Sequence, residues 1–132
     1  MAESGLVKKL RIQSGQRILI LNPPQGYFEE LGRLPLDVDL AERPEGTFDF
    51  IQLFVKQRAE LEGQLPIIEQ SIKYDALLWI CYPKQSSKVN SDLNRDIIWG
   101  MVSKTGLEGV TLVSLNAIWS AMRFRPAKRV GK

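Results

Sequence analysis

The sequence predicts an α/β domain: a mainly parallel sheet with helices on both faces, closed by a C-terminal antiparallel hairpin. Three observations predict it. Strongly apolar runs stand at Arg17–Leu21 (RILIL), Phe48–Val55 (FDFIQLFV) and Ala76–Tyr82 (ALLWICY), and such runs suit strands covered on both faces. Helical periodicity separates them, and alternating strand and helix argues for parallel pairing through crossovers. Finally, Val110–Leu115 and Ile118–Phe124 are joined tightly around Asn116, and so short a connection permits only antiparallel pairing.

Taken in order, Leu6, Val7 and Leu10 suggest a short helix and Ser14-Gly15 a turn. The first strand must stop at Asn22-Pro23-Pro24, because proline supplies no ladder donor. Tyr27–Leu31 suits a short helix, Leu34–Leu40 reads as a weaker strand with Asp37 and Asp39 on one face, and Arg43-Pro44-Glu45-Gly46 is a turn. After the second strong strand, Leu61, Leu65, Ile68 and Ile72 repeat at helical spacing. Gly63 and Pro66 interrupt that pattern; interior proline costs about 3 kcal/mol. A kink or two short helices are therefore expected, with Pro66 able to open the second. Lys84–Asn90 is a polar loop, Ser91 an N-cap with Asp92 in the first turn, and Leu93, Ile97, Ile98, Met101 and Val102 the buried stripe of the next helix. Gly106 is placed to end that helix. The three strong strands should all be central, since exposed apolar edges invite aggregation.

With 132 residues, 44% hydrophobic and 25% charged, the chain reads as one globular domain, residues 1–132. No apolar run approaches the roughly 20 residues that span a bilayer, and MAESGLVKKL lacks the apolar core of a signal peptide. The lone Cys81 excludes an internal disulfide. These features predict a cytoplasmic protein without a membrane partner. The net charge is +3, but five of the 18 basic residues, Arg123, Arg125, Lys128, Arg129 and Lys132, crowd into 123–132. Residues 1–122 hold 13 bases against 15 acids. A basic C-terminal tail on a mildly acidic body is expected, so nucleic-acid binding, if any, would be confined to that tail. The chain has no histidine, which removes the commonest general base and metal ligand, and no metal site is expected.

Thr47-Phe48-Asp49-Phe50-Ile51 resembles the fourth strand of class I S-adenosylmethionine-dependent methyltransferases, and Ala76-Leu77-Leu78-Trp79-Ile80 resembles their fifth. The resemblance implies a Rossmann-like fold whose sheet ends in an antiparallel hairpin. Between Asp39 and Phe48 the chain is too short for the family's full run of elements, so at least one strand–helix unit is expected to be missing. GQRILILNPPQGY, FDFIQLFVKQRAEL, LWICYPKQSSKVNSDL and IWSAMRF also resemble a family of small bacterial proteins of unknown function, over about Lys9 to Arg125.

The departure lies after the first strand. Working methyltransferases carry a glycine-rich turn there, whose backbone approaches the cofactor. Here it reads Asn22-Pro23-Pro24-Gln25-Gly26-Tyr27, and Glu42 is the only loose match to the acidic residue that holds ribose hydroxyls. Asn22-Pro23-Pro24 resembles the motif of amino-methylating DNA methyltransferases, in which an aromatic ring follows at once and stacks on a flipped base. Gln25 and Gly26 intervene here, which favours a rigid strand-ending turn. No bound cofactor is expected, and S-adenosylmethionine is the one the resemblance implies. The favoured function is a non-catalytic methyltransferase-like binding or interaction domain. The alternative is a divergent methyltransferase.

Ligands of open parallel sheets bind beyond the carboxyl ends of the strands. Lys84, Ser86, Ser87 and Lys88 put two cations and two hydroxyls ahead of a helix N-terminus, which suits an anion. Asn22 and Gln25 would complete such a site from the first loop. A small anionic ligand or a protein is therefore the expected partner. Cys81 reads as a buried apolar residue, and Trp79, Trp99 and Trp119 read as core or interface. Asp49 is read as a turn residue or one that opens its strand.

Overall fold

The computed structural model describes residues 5–129. Its six strands are β1 (Arg17–Leu21), β2 (Asp39–Ala41), β3 (Phe48–Phe54), β4 (Ile72–Pro83), β5 (Leu107–Ser114) and β6 (Trp119–Pro126). They form one sheet in the order β2-β1-β3-β4-β6-β5. β2, β1, β3 and β4 are parallel to one another, and β6 is antiparallel to both β4 and β5. The three strong apolar runs are thus all central. The helices are α1 (Gly5–Leu10), α2 (Tyr27–Leu31), α3 (Arg58–Ser71) and α4 (Arg95–Ser103), followed by a short 3-10 turn at Ala127–Arg129.

Strand alternation explains the two cores. Ile18, Ile20, Phe50 and Trp79 face α1 and α2, whereas Leu19, Ile51, Leu53 and Ile80 face α3 and α4. A strand that must please both faces has no polar side, hence RILIL. Leu6, Val7 and Leu10 of α1 pack on the first face, and the Trp79 indole donates to the Leu10 carbonyl at 3.0 Å. That bond satisfies a buried N–H and pins the end of α1 to the sheet. On the second face lie Leu61, Leu65 and Ile68 of α3, with Ile98 and Val102 of α4. The Trp99 ring lies so close to Gly109 of β5 that a Cβ there would meet it at 3.2 Å.

Several expectations are corrected. The weak strand at Leu34–Leu40 shrinks to Asp39–Ala41, because a turn at Leu36-Asp37 puts Asp37 at φ 61°, a left-handed conformation that aspartate tolerates and a strand does not. α3 is one helix, not two. Pro66 lies inside it on the exposed side, as does Glu62, so the carbonyl that Pro66 cannot serve is left to water. Ile72 leaves the helix and opens β4, and Phe48 and Phe50 of β3 pair with Ile72 and Leu77, so residues 73–76 bulge out. α4 begins at Arg95 rather than near Asp92, because Asn94 is its cap, accepting from the Ile97 amide at 2.9 Å. The expected tail at 123–132 is not a tail at its start: Arg123 and Arg125 are residues of β6, held by pairing with β4 and β5. Lys132 and the side chain of Arg129 lie outside the described residues.

The C-terminal hairpin forms as predicted. Asn116 makes its turn, its Oδ1 accepting from the amides of Ile118 (2.8 Å) and Trp119 (2.9 Å). The chain between Ala41 and Phe48 holds no strand or helix, as the missing unit requires. The architecture is a shortened Rossmann-like α/β fold.

Candidate functional site at the carboxyl edge of the sheet

The parallel strands deliver four loops to one edge, and the hairpin turn joins them there. The loop after β1 turns to the face covered by α2. Asn22 takes φ 55° and Gly26 φ 82°, which swing the chain round so that Tyr27 re-enters the core. The Tyr27 ring is 2% exposed and packs edge-on against Phe54 at 4.7 Å, which packs edge-on against Trp119 at 5.1 Å. Its hydroxyl donates to Gln52 Oε1 at 2.9 Å, and Gln52 Nε2 donates to Cys81 Sγ at 3.3 Å. Asn116 Nδ2 reaches Glu30 of α2 at 2.9 Å. Burial above all, and the nearby Cys81, raise the Tyr27 hydroxyl far above its ordinary value. Burial pushes the Cys81 thiol up to about 12. Cys81 is a sealed core residue, as its apolar neighbours in sequence suggest, and Tyr27 is no exposed base-stacking ring.

The loop after β4 turns to the opposite face. Ser91 Oγ donates to the Lys56 carbonyl at 2.5 Å, Gln57 Nε2 to the Asn90 carbonyl at 3.3 Å, and Asp92 Oδ1 accepts from the Arg58 amide at 2.7 Å. Asp92 thus caps α3, not α4. With Glu60 accepting from the amides of Lys56 and Gln57, the start of α3 is closely satisfied, and the β3 and β4 loops are stitched into one unit.

These contacts place the predicted ligand residues. Lys84 Nζ donates to Ser114 Oγ at 2.6 Å, on β5, away from β1. Ser87 Oγ donates to the Lys84 carbonyl at 2.6 Å, which tightens the loop. Ser86 and Lys88 are exposed, as are Asn22 and Gln25. The structure brings Lys84, Ser86 and Ser87 together. It does not bring Asn22 and Gln25 to them: β3 lies between β1 and β4, and the two loops leave for opposite faces.

A cleft of about 420 Å³ opens instead beside Lys84 and Ser86, walled by Tyr82, Arg95, Leu112 and Ser120. Lys84 and Arg95 supply positive charge, and Asp96 lies 3.5 Å from Arg95. Tyr82 is raised by burial first; Arg95 lowers it and Asp96 raises it. The cleft is thus lined by two cations, Lys84 and Arg95, by the Asp96 carboxylate, and by the Ser86 and Ser120 hydroxyls. Arg95 and Ser120 had no signal in the sequence: Ser120 arrives through its register with Tyr82, and Arg95 through the displaced start of α4. Glu42 follows β2 directly at this edge, exposed. At the other edge, Asp49 accepts from the Arg17 amide (2.7 Å) and from Lys73 (2.9 Å), a structural role at the foot of β3. Among the described residues no cluster of His, Cys, Asp or Glu could hold a metal ion, and no helix is long and apolar enough to cross a membrane.

Neither a protein-family model nor a curated protein matches the sequence. Solved structures match its fold. A SAM-dependent methyltransferase from Aquifex aeolicus superposes with a TM-score of 0.61 at 14% identity, covering 90% of this chain and 86% of that one. The complex of DhpI with SAH gives 0.62 at 12%, covering 91% and 81%. A ribosomal-protein methylase from Lactobacillus delbrueckii subsp. bulgaricus gives 0.60 at 8%, covering 91% and 74%. At identities this low the superpositions show a shared fold alone.

Proposed function

We propose that this chain is a methyltransferase-like domain that does not transfer methyl groups and instead binds a small anionic ligand at the carboxyl edge of its sheet. The observation that carries this reading is the loop after β1. Two of its residues are prolines with no amide to offer, the Tyr27 amide is spent on the Pro24 carbonyl at 3.0 Å, and the Tyr27 ring fills space against Phe54. A dinucleotide-type cradle needs open backbone amides there. The cleft beside Lys84, Ser86 and Arg95 is the ligand site; Ser87 tightens the same loop through the Lys84 carbonyl, Lys88 is exposed further along it, and Asn22 and Gln25 stand apart from it.

Calorimetric titration with S-adenosylmethionine and S-adenosylhomocysteine tests the first half, and micromolar binding of either overturns it. Soaking crystals with phosphate, sulfate and nucleotides tests the second. Density in the cleft, with affinity lost in Lys84→Ala, supports the site; density only elsewhere refutes it.

A second reading, a divergent S-adenosylmethionine-dependent methyltransferase, is favoured by one observation. Glu42 stands directly after β2, beside the β1 loop, where an acidic residue could take ribose hydroxyls. If the cofactor binds, Glu42→Gln should weaken it.

A further inference from the structure

Away from the carboxyl edge, on the face covered by α1, three arginines gather around Trp79. Arg123 of β6 is the cross-strand partner of Trp79 on one side and of Thr111 on the other. Trp79 holds the Leu10 carbonyl, so Arg11, the next residue, comes over the same spot. Its φ of 64° and the bond from its amide to the Lys8 carbonyl at 3.2 Å close α1 there. Arg125 lies two residues along β6 on the same face and is gripped by both carboxylate oxygens of Asp75, at 2.9 and 2.8 Å.

Arg125 is thereby neutralised and Arg123 is not. No carboxylate among the described residues lies within 4 Å of Arg123. Its Nε is buried and meets no acceptor. Arg11 makes no ion pair among the described residues either. Burial lowers the Arg123 guanidinium from its ordinary value, with Arg11 and then Arg125 adding to the effect and Asp75 opposing it. A half-buried cation beside two others, with no carboxylate in contact among the described residues, is costly, and such sites call for an anion.

We propose that Arg11 and Arg123 form a phosphate-binding site on this face, distinct from the carboxyl-edge cleft. Three guanidiniums outnumber the two carboxylates on this face, Asp75 and Glu108, and planar guanidiniums present paired N–H donors to phosphate oxygens. The phosphate belongs to a small phosphorylated molecule. The patch is short, Glu108 lies opposite Arg125 in the hairpin register, and residues 1–122 carry more acids than bases, so no extended basic track follows a nucleic-acid backbone.

The test uses the full chain in phosphate-free buffer, with inorganic pyrophosphate and a single-stranded oligonucleotide as probes. Nitrogen–proton spectra of the arginine Nε groups report the site directly. Pyrophosphate should shift the Arg123 Nε–H resonance and raise Tm by mass action. Arg11→Gln and Arg123→Gln should each weaken binding by about 10–100-fold, the effect of losing a charged hydrogen bond. Arg43→Gln, the same charge change near the far edge of the sheet, should leave it unaltered. Arg11 is exposed, so its variant folds even if Arg123→Gln does not. An unshifted Arg123 resonance at millimolar pyrophosphate, or equal weakening by Arg43→Gln, overturns the proposal. So does binding of the oligonucleotide that pyrophosphate cannot displace. Because the readout sits on Arg123 itself, it is independent of whether the carboxyl-edge cleft takes a ligand.

Discussion

Replacing Tyr27 with phenylalanine removes one oxygen and changes little else in shape. The ring keeps its contacts with Phe54, but Gln52 Oε1 loses its donor at a position that is 0% exposed. No water reaches the orphaned carbonyl. Stranding a buried polar group costs about 1–3 kcal/mol. At roughly 2.1 cal/mol/K of unfolding entropy per residue, a 132-residue chain loses about 3–4 °C of Tm per kcal/mol, so Tyr27→Phe should melt about 4–11 °C lower. Gln52→Leu strands the same bond from the other side. It leaves the Tyr27 hydroxyl unmet and removes the donor to Cys81. The double variant, Tyr27→Phe with Gln52→Leu, has neither orphan and should melt above both singles. Urea unfolding of the four proteins closes the cycle, with an expected coupling of about 1–3 kcal/mol between the two positions. If the two losses add to within about 0.5 kcal/mol, the Tyr27–Gln52 bond does not hold the β1 loop, and the reasoning about a filled carboxyl edge falls with it.

Asp49 is held below its ordinary 3.8, by the Arg17 amide first and then by Lys73. A carboxylate with a depressed folded value contributes stability that is complete above the unfolded value and lost as pH falls through the folded one. Asp49→Asn should therefore destabilise by about 1 kcal/mol at neutral pH, with the gap closing in melts taken below about pH 4. Asp92→Ala should cost about 0.5–2 kcal/mol, as loss of a helix cap does, and hydrogen exchange should show it at the Arg58 amide in α3 rather than in α4. Cys81, with its thiol pushed up to about 12 and fully buried, should resist a disulfide reagent at pH 8 until denaturant unfolds the chain. Pro66→Ala restores a donor on the exposed side of α3 and should stabilise by about 1–3 kcal/mol, read from the urea midpoint.

The central sheet was legible because a strand buried on both faces has only one way to be written: RILIL, FDFIQLFV and ALLWICY could hardly be anything else. The hairpin was legible through its short connection. Helix starts were not, because caps are chosen by tertiary partners. Ser91 and Asp92 look like a cap for α4 until the fold brings the start of α3 beside them. Pro66 misled for a related reason, since its cost depends on whether its helix face meets water. The candidate site was legible in its charges and not in its shape. Lys84, Ser86 and Ser87 share a loop and so stay together, whereas Asn22 and Gln25 were assigned to them by strand proximity alone. The aromatic wedge of Tyr27, Phe54 and Trp119 decides which face that loop takes, and it joins residues far apart in the chain. Gln52 carried a faint signal, a lone amide in an otherwise apolar run.

The strand order also bears on how the molecule is made. β6 follows β5 in sequence, yet it lies between β4 and β5. A nascent chain that has released β5 has nowhere to put it, because the place beside β4 belongs to a segment still to come. β4, apolar from Leu78 to Pro83, then has an open edge until β6 emerges. Open apolar edges are where unfinished chains stick to one another. Trimming the chain within Trp119–Pro126 would make that brief exposure permanent. A library of C-terminal truncations should thus pass abruptly from soluble to aggregated there, however little of the ligand-binding edge has been removed.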